Sequence, residues 1–259
     1  MIDPRAIVAP EAKIAKNVSI GPFAVIGPQV TIEEGCEIGA SAVIEGHTHL
    51  GRNNHVFQFA SIGACPQDLK YHGEDTLLEI GDNNSFREFC TVHTGTISGG
   101  GKTVIGSNNL IMNYVHVAHD CIIGNNCILA NYVGLAGHVQ IDDFAVLSGF
   151  AKVVQFAHIG AYSFIIANAD VGKDVLPYII VGGTAKDIKP YGLNLVGLRR
   201  HQFSEETITQ LKRAYNVILR KSLTAEEAGV QLKAMVATCP EVQRFVDALA
   251  AMGQRGIIR

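Results

Sequence analysis

The chain has 259 residues, a formal net charge of −3, 47% hydrophobic residues and only 17% charged residues. This composition can bury a continuous core, which excludes a disordered or low-complexity chain. No run of about 18 uninterrupted apolar residues occurs, and the N-terminal residues lack the basic and apolar regions of a secretory signal. We therefore expect a cytoplasmic protein without a membrane span.

An aliphatic or aromatic residue recurs at every sixth position, which is the main signal in the sequence. The series occupies positions 2–62, 80–92 and 105–171. Period six fits neither an α-helix nor a simply alternating strand. It is typical of a three-sided prism in which each short strand points one side chain inward, with coils of about 18 residues stacked at about 4.8 Å. We predict a mainly β, parallel β-helix of about eight or nine coils over residues 1–190.

Two segments interrupt the repeat and are predicted to leave the prism as external loops. In residues 63–79 the sixth positions would be Asp68 and Glu74, and burying these carboxylates unpaired would cost several kcal/mol. In residues 94–103 the register itself breaks. Because long loops on a regular scaffold commonly carry binding groups, we expect part of the functional site there.

Residues 191–259 are predicted to form a C-terminal α-helical domain. Ser204 and Thr224 are the predicted N-caps of two helices, the second within a Thr-x-x-Glu capping box. Pro240 suits the first turn of a last helix, which Gly253 would stop.

Charge divides the chain into an acidic body and a basic tail. Residues 189–259 carry eleven Lys and Arg against six Asp and Glu, whereas residues 1–188 sum to −8. This split predicts an acidic partner for the tail. Nucleic acid is disfavoured, because the prism has no basic stripe interleaved with aromatic residues. The six cysteines include no CxxC pair, which argues against a disulfide framework or a zinc ribbon.

Stacked coils place residues i and i+18 above one another, and this brings reactive side chains together. His119, Gly137 and Gln155 fall in one column, and Asp120 and His138 fall in the next. A histidine beside an aspartate can act as a general base whose tautomer the carboxylate fixes. A glycine leaves its N–H open to a developing oxyanion. The columns therefore predict a proton-transfer site.

Two other interpretations stay open at this stage. A zinc site between subunits could use His93, His116 and His119, although two histidines separated by two residues point awkwardly toward one tetrahedral ion. A structural solenoid without chemistry would have a flat, threonine-rich face, whereas this repeat is interrupted by two polar loops and a histidine cluster.

Several motifs together resemble the UDP-N-acetylglucosamine O-acyltransferases over essentially the whole chain. They are Gln67-Asp-Leu-Lys-Tyr71, Gly73-Glu74, Glu79-Ile-Gly-Asp82, Arg87-Glu88, His116-Val-Ala-His-Asp120, Leu135-Ala-Gly-His138, Gly197-Leu-Arg-Arg200 and Arg255-Gly-Ile-Ile-Arg259. The resemblance implies a left-handed parallel β-helix, assembled as a homotrimer with active sites between subunits. It also implies transfer of an (R)-3-hydroxyacyl group from acyl carrier protein to the 3-hydroxyl of UDP-N-acetylglucosamine in lipid A biosynthesis, without a metal or bound cofactor.

The resemblance assigns roles to individual residues. His119 would be the general base, Asp120 would support it, and the Gly137 amide would meet the oxyanion. Asp68 and Lys70 would contact the acyl hydroxyl and the sugar. The remaining substrate-binding residues would be His116, His138, Gln155, Asn194 and Arg200. Acidic acyl carrier protein would land on the basic tail through Arg199, Arg200, Lys212, Arg213, Arg220 and Lys221.

Three positions depart from the family pattern. Val154, Val196 and His201 stand where a histidine, an acidic residue and an arginine are usual, so the contacts to uridine and diphosphate are not predicted. The preferred acyl chain length and the choice between a 3-hydroxyl and a 3-amino acceptor also stay open. The related N-acyltransferase normally carries a separate N-terminal domain, whereas hexads begin here at Ile2.

Overall fold

The computed structural model describes residues 1–221 and 223–259, and the side chain of Arg220 lies outside the described part. Within it, short strands form three flat sheets of nine, eight and ten strands. Each strand pairs in parallel with strands of the neighbouring coils, apart from one antiparallel pair at the C-terminal end. The predicted fold class is confirmed: this is a left-handed parallel β-helix of hexapeptide repeats with a C-terminal α-helical domain.

The three sheets are built from strands that are mostly two residues long. The first sheet contains Ile7–Val8, Val25–Ile26, Val43–Ile44, Ser61–Ala64, Thr91–His93, His116–Val117, Gly134–Leu135, Lys152–Val153 and Asp170–Val171. The second contains Lys13–Ile14, Thr31–Ile32, His47–Leu50, Leu77–Ile80, Lys102–Ile105, Ile122–Ile123, Gln140–Ile141 and His158–Ile159. The third contains Ser19–Ile20, Glu37–Ile38, His55–Val56, Ser85–Phe86, Leu110–Ile111, Ile128–Leu129, Val146–Leu147, Phe164–Ile165, Ile179–Gly182 and Lys189–Leu193.

The sixth-position side chains form the core of the prism. Ile44, Leu50 and Val56 come from three successive strands, and each is fully buried. Burial of one such side chain contributes roughly 1.5–3 kcal/mol, and it requires the coils above and below to complete the contacts. The stack of coils is therefore what makes the six-residue repeat stable.

Both predicted loops are shorter in the structure. The first comprises residues 65–76 rather than 63–79, because Leu78 is fully buried and belongs to a four-residue strand. Asp68 and Glu74 lie outside the core, as predicted. The second comprises residues 94–101 rather than 94–103, because the strand Lys102–Ile105 begins earlier than expected.

The second loop carries a short 3₁₀ helix, Ile97–Gly99, whose N-cap is Thr96. The first two residues of the loop are joined to the prism by backbone hydrogen bonds. Thr94 N donates to Ala64 O at 3.1 Å, and Gly95 N donates to Leu77 O at 3.1 Å. The loop is thus packed against the coils that precede and follow the first loop.

In the described part of the chain, four α-helices follow the prism. They are α1 (Leu195–Arg200), α2 (Glu205–Arg220), α3 (Ala225–Val236) and α4 (Gln243–Ala250). The predicted N-caps are confirmed, because Ser204 Oγ accepts from Thr207 N at 3.0 Å and Thr224 forms both halves of its capping box. None of the helices in the described residues has the length and apolar character needed to cross a membrane.

Two details of the C-terminal region differ from expectation. Pro240 opens a 3₁₀ turn, Pro240–Val242, that leads into α4, and α4 ends three residues before Gly253. The strand Lys189–Leu193 crosses the expected boundary at residue 190 and pairs antiparallel with Ile179–Gly182. The last turn of the prism and the first helix are therefore joined by a hairpin.

Candidate active site

The predicted reactive residues meet at the corner between the first and second sheets. His116 lies in a strand of the first sheet, and His119 and His138 follow at the corner in successive coils. They line a cavity of about 790 Å³. The first loop covers one side of this cavity with residues 67–70, and the second loop contributes Ser98. The expectation that the loops supply part of the site agrees with this placement.

His119 and Asp120 form a buried hydrogen-bonded pair. His119 Nδ1 lies 2.7 Å from Asp120 Oδ2, and both side chains are almost entirely buried. Asp120 is itself held from the second loop, because its Oδ1 accepts from Thr96 N and its Oδ2 accepts from Thr96 Oγ1, each at 2.7 Å. These contacts fix the carboxylate and leave the other ring nitrogen of His119, Nε2, free to face a substrate.

Gly137 lies directly beneath the His119 ring, as the column arithmetic predicted. A Cβ atom at this position would lie 2.5 Å from His119 Cε1, so only glycine allows the two residues to stack this closely. Among the described residues, the Gly137 N–H donates to no other group. It is therefore a free donor within the cavity, which is the requirement for stabilising an oxyanion.

His138 and His116 flank the pair as neutral imidazoles. His138 Nδ1 lies 3.8 Å from Asp120 Oδ2, and its ring stacks on Phe156 at 4.4 Å. His116 Nδ1 is 2.8 Å from Thr91 Oγ1. Burial lowers the pKa of both histidines; His119 lowers the pKa of His116 further, whereas at His138 the Asp120 carboxylate opposes the effect of burial without reversing it. Uncharged rings can bind sugar or acyl oxygens without competing with His119 for a proton.

Asp68, Lys70 and Gln155 also line the cavity. Within the first loop, Lys70 N donates to Asp68 Oδ1 at 3.0 Å, which orders the turn that carries both side chains. The Asp68 charge acts on His138 by raising its pKa, although burial has the larger and opposite effect. Both loop residues therefore lie close enough to the histidines to share a ligand with them.

Asn194 and Arg200 do not join this cavity within one chain. Asn194 is the N-cap of α1: its Oδ1 accepts from Gly197 N at 3.1 Å and its Nδ2 donates to Tyr162 O at 3.0 Å. Arg200 is exposed at the end of the same helix. In this chain the two residues stand at the junction of prism and helices, apart from His119.

The three departing positions have different surroundings. Val154 is partly exposed beside Gln155, and Val196 is exposed on α1. His201 is the C-cap of α1 and packs edge-on against Phe144 and Tyr162, with ring centroids at 4.9 and 5.3 Å. None of the three lines the His119 cavity.

His119, Asp120 and His138 also form a group that could hold a metal ion, because one ligand atom from each lies within 4.8 Å of the others. This set differs from the zinc ligands considered from the sequence, since it replaces His93 and His116 by Asp120 and His138. Two of its donors are already hydrogen-bonded to each other, so a metal ion would displace that bond.

Sequence reasoning missed Thr96 as the residue that holds Asp120, and it considered His93 only as a zinc ligand. His93 lines the cavity. Both were missed because the second loop lengthens one coil, so that Thr91 pairs with His116 across 25 residues rather than 18. This insertion moves His93 and Thr96 out of the columns that the regular repeat defines. The break in register at residues 94–103 was the available signal.

Comparisons with known proteins identify similar chains. The family model described as UDP-N-acetylglucosamine O-acyltransferase, domain 2, matches residues 174–258, and the bacterial transferase hexapeptide model matches residues 11–46 and 102–137. A curated relative from Stutzerimonas stutzeri, named acyl-[acyl-carrier-protein]–UDP-N-acetylglucosamine O-acyltransferase, is 46% identical over 259 residues, which cover 100% of this chain and 99% of the relative.

Two solved structures superpose over the full chain. The UDP-N-acetylglucosamine acyltransferase of Francisella novicida has a TM-score of 0.96 and 44% identity, covering 100% of this chain and 94% of that one. LpxA from Acinetobacter baumannii has a TM-score of 0.96 and 44% identity, covering 100% and 99%. The fold, the hexapeptide repeats and the C-terminal region are thus all similar to those of acyltransferases.

Proposed function

Because the chain belongs to the UDP-N-acetylglucosamine O-acyltransferase family, we propose that it transfers an (R)-3-hydroxyacyl group from acyl carrier protein to the 3-hydroxyl of UDP-N-acetylglucosamine, with His119 as the general base. It is an acyltransferase of lipid A biosynthesis. The observation that carries the residue assignment is the stack of the His119–Asp120 pair on the free Gly137 amide.

The reaction follows from this stack. His119 Nε2 takes the proton of the sugar 3-hydroxyl as its oxygen attacks the thioester carbonyl. Asp120 accepts from Nδ1 and stabilises the imidazolium that forms. The Gly137 N–H donates to the oxyanion of the tetrahedral intermediate. Collapse of the intermediate forms the ester and expels the thiolate, which recovers the proton from His119.

Asp68, Lys70, His116, His138 and Gln155 are proposed to bind the substrates, since all of them line the same cavity as His119. The neutral state of His116 and His138 supports this, because a second imidazolium beside His119 would oppose its protonation. Such a cluster holds oxygen atoms by hydrogen bonds and leaves one basic site for the proton.

We also propose a homotrimer with active sites between subunits. Asn194 and Arg200 could then reach a substrate held in the cavity of a neighbouring subunit, although they stand apart from their own His119. A ladder of exposed aromatic rings at another corner of the prism supports an assembly, because it leaves apolar surface to be covered. Its stacked members are Phe59, Phe89, Tyr114, Tyr132 and Phe150.

Acyl carrier protein is proposed to dock on the basic helices. Arg213 and Lys221 line a groove between α2 and α3 together with Val217 and Met235, which offers positive charge beside apolar surface. Arg199 is already paired with Glu205 at 2.7 Å, so it is a weaker candidate. A cytoplasmic location goes with this proposal, because all six cysteines are unpaired, as is usual in a reducing compartment.

The direct test is an assay of the purified protein with (R)-3-hydroxyacyl carrier proteins of several chain lengths. UDP-N-acetylglucosamine and its 3-amino analogue are the two acceptors. We expect an ester with UDP-N-acetylglucosamine, with one chain length preferred. Transfer to the 3-amino analogue alone would replace the proposed acceptor atom, and transfer to neither would reject the proposed function.

A further inference from the structure

His93 is a buried histidine at the cavity that the proposed mechanism does not use. It ends the strand Thr91–His93 and is 4% exposed. Its ring meets the His116 ring edge-on, with centroids 5.0 Å apart. A histidine in a cavity wall can be a packing residue or a ligand-binding residue. The surroundings of the two ring nitrogens of His93 indicate which role it has.

The two nitrogens have different surroundings. Nδ1 is buried and has no hydrogen-bond partner among the described residues. Nε2 is not a buried, unpaired atom like Nδ1, and His93 lines the cavity, so the Nε2 edge of the ring is the one that can face a ligand. A neutral imidazole must have its proton on one of the two nitrogens. Because a buried N–H without an acceptor is rarer than an unpaired acceptor, the proton belongs on Nε2, where it points into the cavity.

The ring also stays uncharged. Burial, reinforced by the neighbouring His116 and His119, lowers the pKa of His93 to about 4. These two histidines are the titratable groups that act on it, and the strand of His116 is paired to its own. A neutral N–H suits a neutral oxygen acceptor better than a diphosphate, which would favour an imidazolium.

We propose that His93 binds substrate, donating its Nε2–H to an uncharged oxygen of a bound molecule. This inference rests on the proposed function, and two substrates can supply such an oxygen. One is the acceptor sugar, through a hydroxyl or its amide carbonyl. The other is the acyl chain, through its 3-hydroxyl. Either way, the buried and unpaired Nδ1 holds the tautomer that presents the donor.

The test compares His93→Leu, which removes the donor, with His93→Gln, whose amide can restore it. We expect His93→Leu to lower kcat/KM about tenfold, equivalent to about 1.4 kcal/mol. We expect His93→Gln to stay within about threefold of the unchanged protein. The loss should fall on KM for the substrate that supplies the oxygen, with a smaller change in kcat.

Two further arms identify the oxygen. If the sugar supplies it, calorimetry should show weaker binding of UDP-N-acetylglucosamine to His93→Leu. If the acyl chain supplies it, an acyl carrier protein lacking the 3-hydroxyl should be used equally well by His93→Leu and the unchanged protein. This arm remains informative if His93→Leu folds poorly, because His93→Ala also removes the donor and can take its place.

Equal kcat/KM for His93→Leu and the unchanged protein would overturn the proposal. So would a His93→Gln variant that is folded yet as impaired as His93→Leu, because the imidazole would then act through packing. The unchanged protein is assayed first. If it makes no ester, the proposed function fails, whereas if it is active and the Leu and Gln variants do not differ, only the role of His93 fails.

Discussion

Asp120 determines which nitrogen of His119 is available to a substrate. Its Oδ2 accepts from both His119 Nδ1 and Thr96 Oγ1, and its Oδ1 accepts from Thr96 N. The backbone of Asp120 has a positive φ of 60°, a conformation that short polar residues tolerate best. Two requirements therefore favour aspartate at this position: a backbone with positive φ and a carboxylate that accepts these hydrogen bonds.

Asp120→Asn tests this role of the carboxylate. An amide could present its NH₂ to His119 Nδ1 and so stabilise the tautomer that cannot accept a proton at Nε2. We expect kcat to fall by roughly 10²–10⁴-fold, with KM for both substrates nearly unchanged. Steady-state kinetics with each substrate varied in turn measures both constants.

Asp142→Asn is the matched control for this variant. Asp142 accepts from His158 at 2.8 Å, so the chain contains a second His–Asp pair that lies outside the His119 cavity. Its variant should keep near-normal turnover. An Asp120→Asn enzyme as active as the Asp142→Asn control would show that the Asp120 charge has no part in the chemistry.

The buried His93 makes stability depend on pH. In the folded chain burial lowers its pKa to about 4, from the ordinary histidine value of 6.5. Below about pH 6.5 the unfolded chain therefore binds a proton that the folded chain does not, and the free energy of unfolding falls as the pH drops toward 4. Between pH 7.5 and pH 5 this amounts to about 2 kcal/mol.

His93→Gln should remove that part of the pH dependence. Urea unfolding at one protein concentration, at pH 7.5 and pH 5, measures it for both proteins. The variant should still lose some of its free energy of unfolding between pH 7.5 and pH 5, because burial also lowers the pKa of His116 and His138. Identical losses of stability in the two proteins would mean that His93 is not buried as a neutral ring.

At the scale of elements, the corners of the prism hold the coils in register. At the corner between the second and third sheets, Asn54, Asn84 and Asn109 form a buried ladder. Asn84 Nδ2 donates to Gly81 O at 3.1 Å and to Gly106 O at 2.9 Å, and its Oδ1 accepts from Asn109 N at 2.9 Å. One side chain thus joins two consecutive coils.

Asn84→Ala should destabilise the prism by about 2–4 kcal/mol, because it leaves the Gly106 carbonyl and the Asn109 N–H buried without partners. Denaturant unfolding measures this loss. Asn216→Ala is the control, since Asn216 is exposed on α2 and alanine favours a helix. A variant of Asn84 as stable as that control would show that the ladder adds no stability.

The six-residue repeat predicts the strands of the prism well because every coil buries an apolar side chain at the same three positions. The columns that place Gly137 beneath His119 depend only on an uninterrupted 18-residue coil. They fail for Thr96 and His93, where the second loop changes the offset. They also leave Asn84 unrecognised, since the same asparagine could equally occupy an exposed corner. Local sequence thus predicts the scaffold, while contacts across an insertion require the folded chain.

The aromatic corners show another limit of sequence reasoning. A residue with positive φ is usually Gly or Asn, yet Phe89, Tyr114 and Tyr132 all adopt a positive φ near 60° at a corner. Their rings stack at 4.7–5.0 Å, close to the spacing between coils of about 4.8 Å. Stacking, worth about 0.5–1.5 kcal/mol per pair, offsets the conformational cost, and it exists only once the coils are assembled.

At the scale of the whole molecule, acidic and basic residues are concentrated in different regions. The acidic prism holds the cavity, whereas the C-terminal region, which is basic as a whole, presents the groove between α2 and α3 with Arg213 and Lys221. Acyl carrier protein is acidic, so the separation favours its approach to the helical end of the molecule. Exposed charges of this kind act mainly on association and are weakened by salt.

Arg213→Glu should raise KM for the acyl carrier protein substrate about tenfold at low salt, with kcat little changed. The difference should shrink as salt is raised from about 0.05 to 0.5 M, because the interaction is screened. An acyl-pantetheine donor, which lacks the carrier protein, should be used equally by both proteins. Lys16→Glu, at the far end of the prism, is the control, and an equal effect there would argue against a docking groove.

The most direct measurement is turnover by His119→Ala, alongside melting temperature and oligomeric state. We predict that transfer from (R)-3-hydroxyacyl carrier protein to UDP-N-acetylglucosamine is abolished, while melting and assembly match those of the unchanged protein. His49→Ala, which removes an exposed histidine paired with Glu33, should remain fully active. Near-normal turnover by a folded His119→Ala enzyme would contradict the assignment of His119 as the general base.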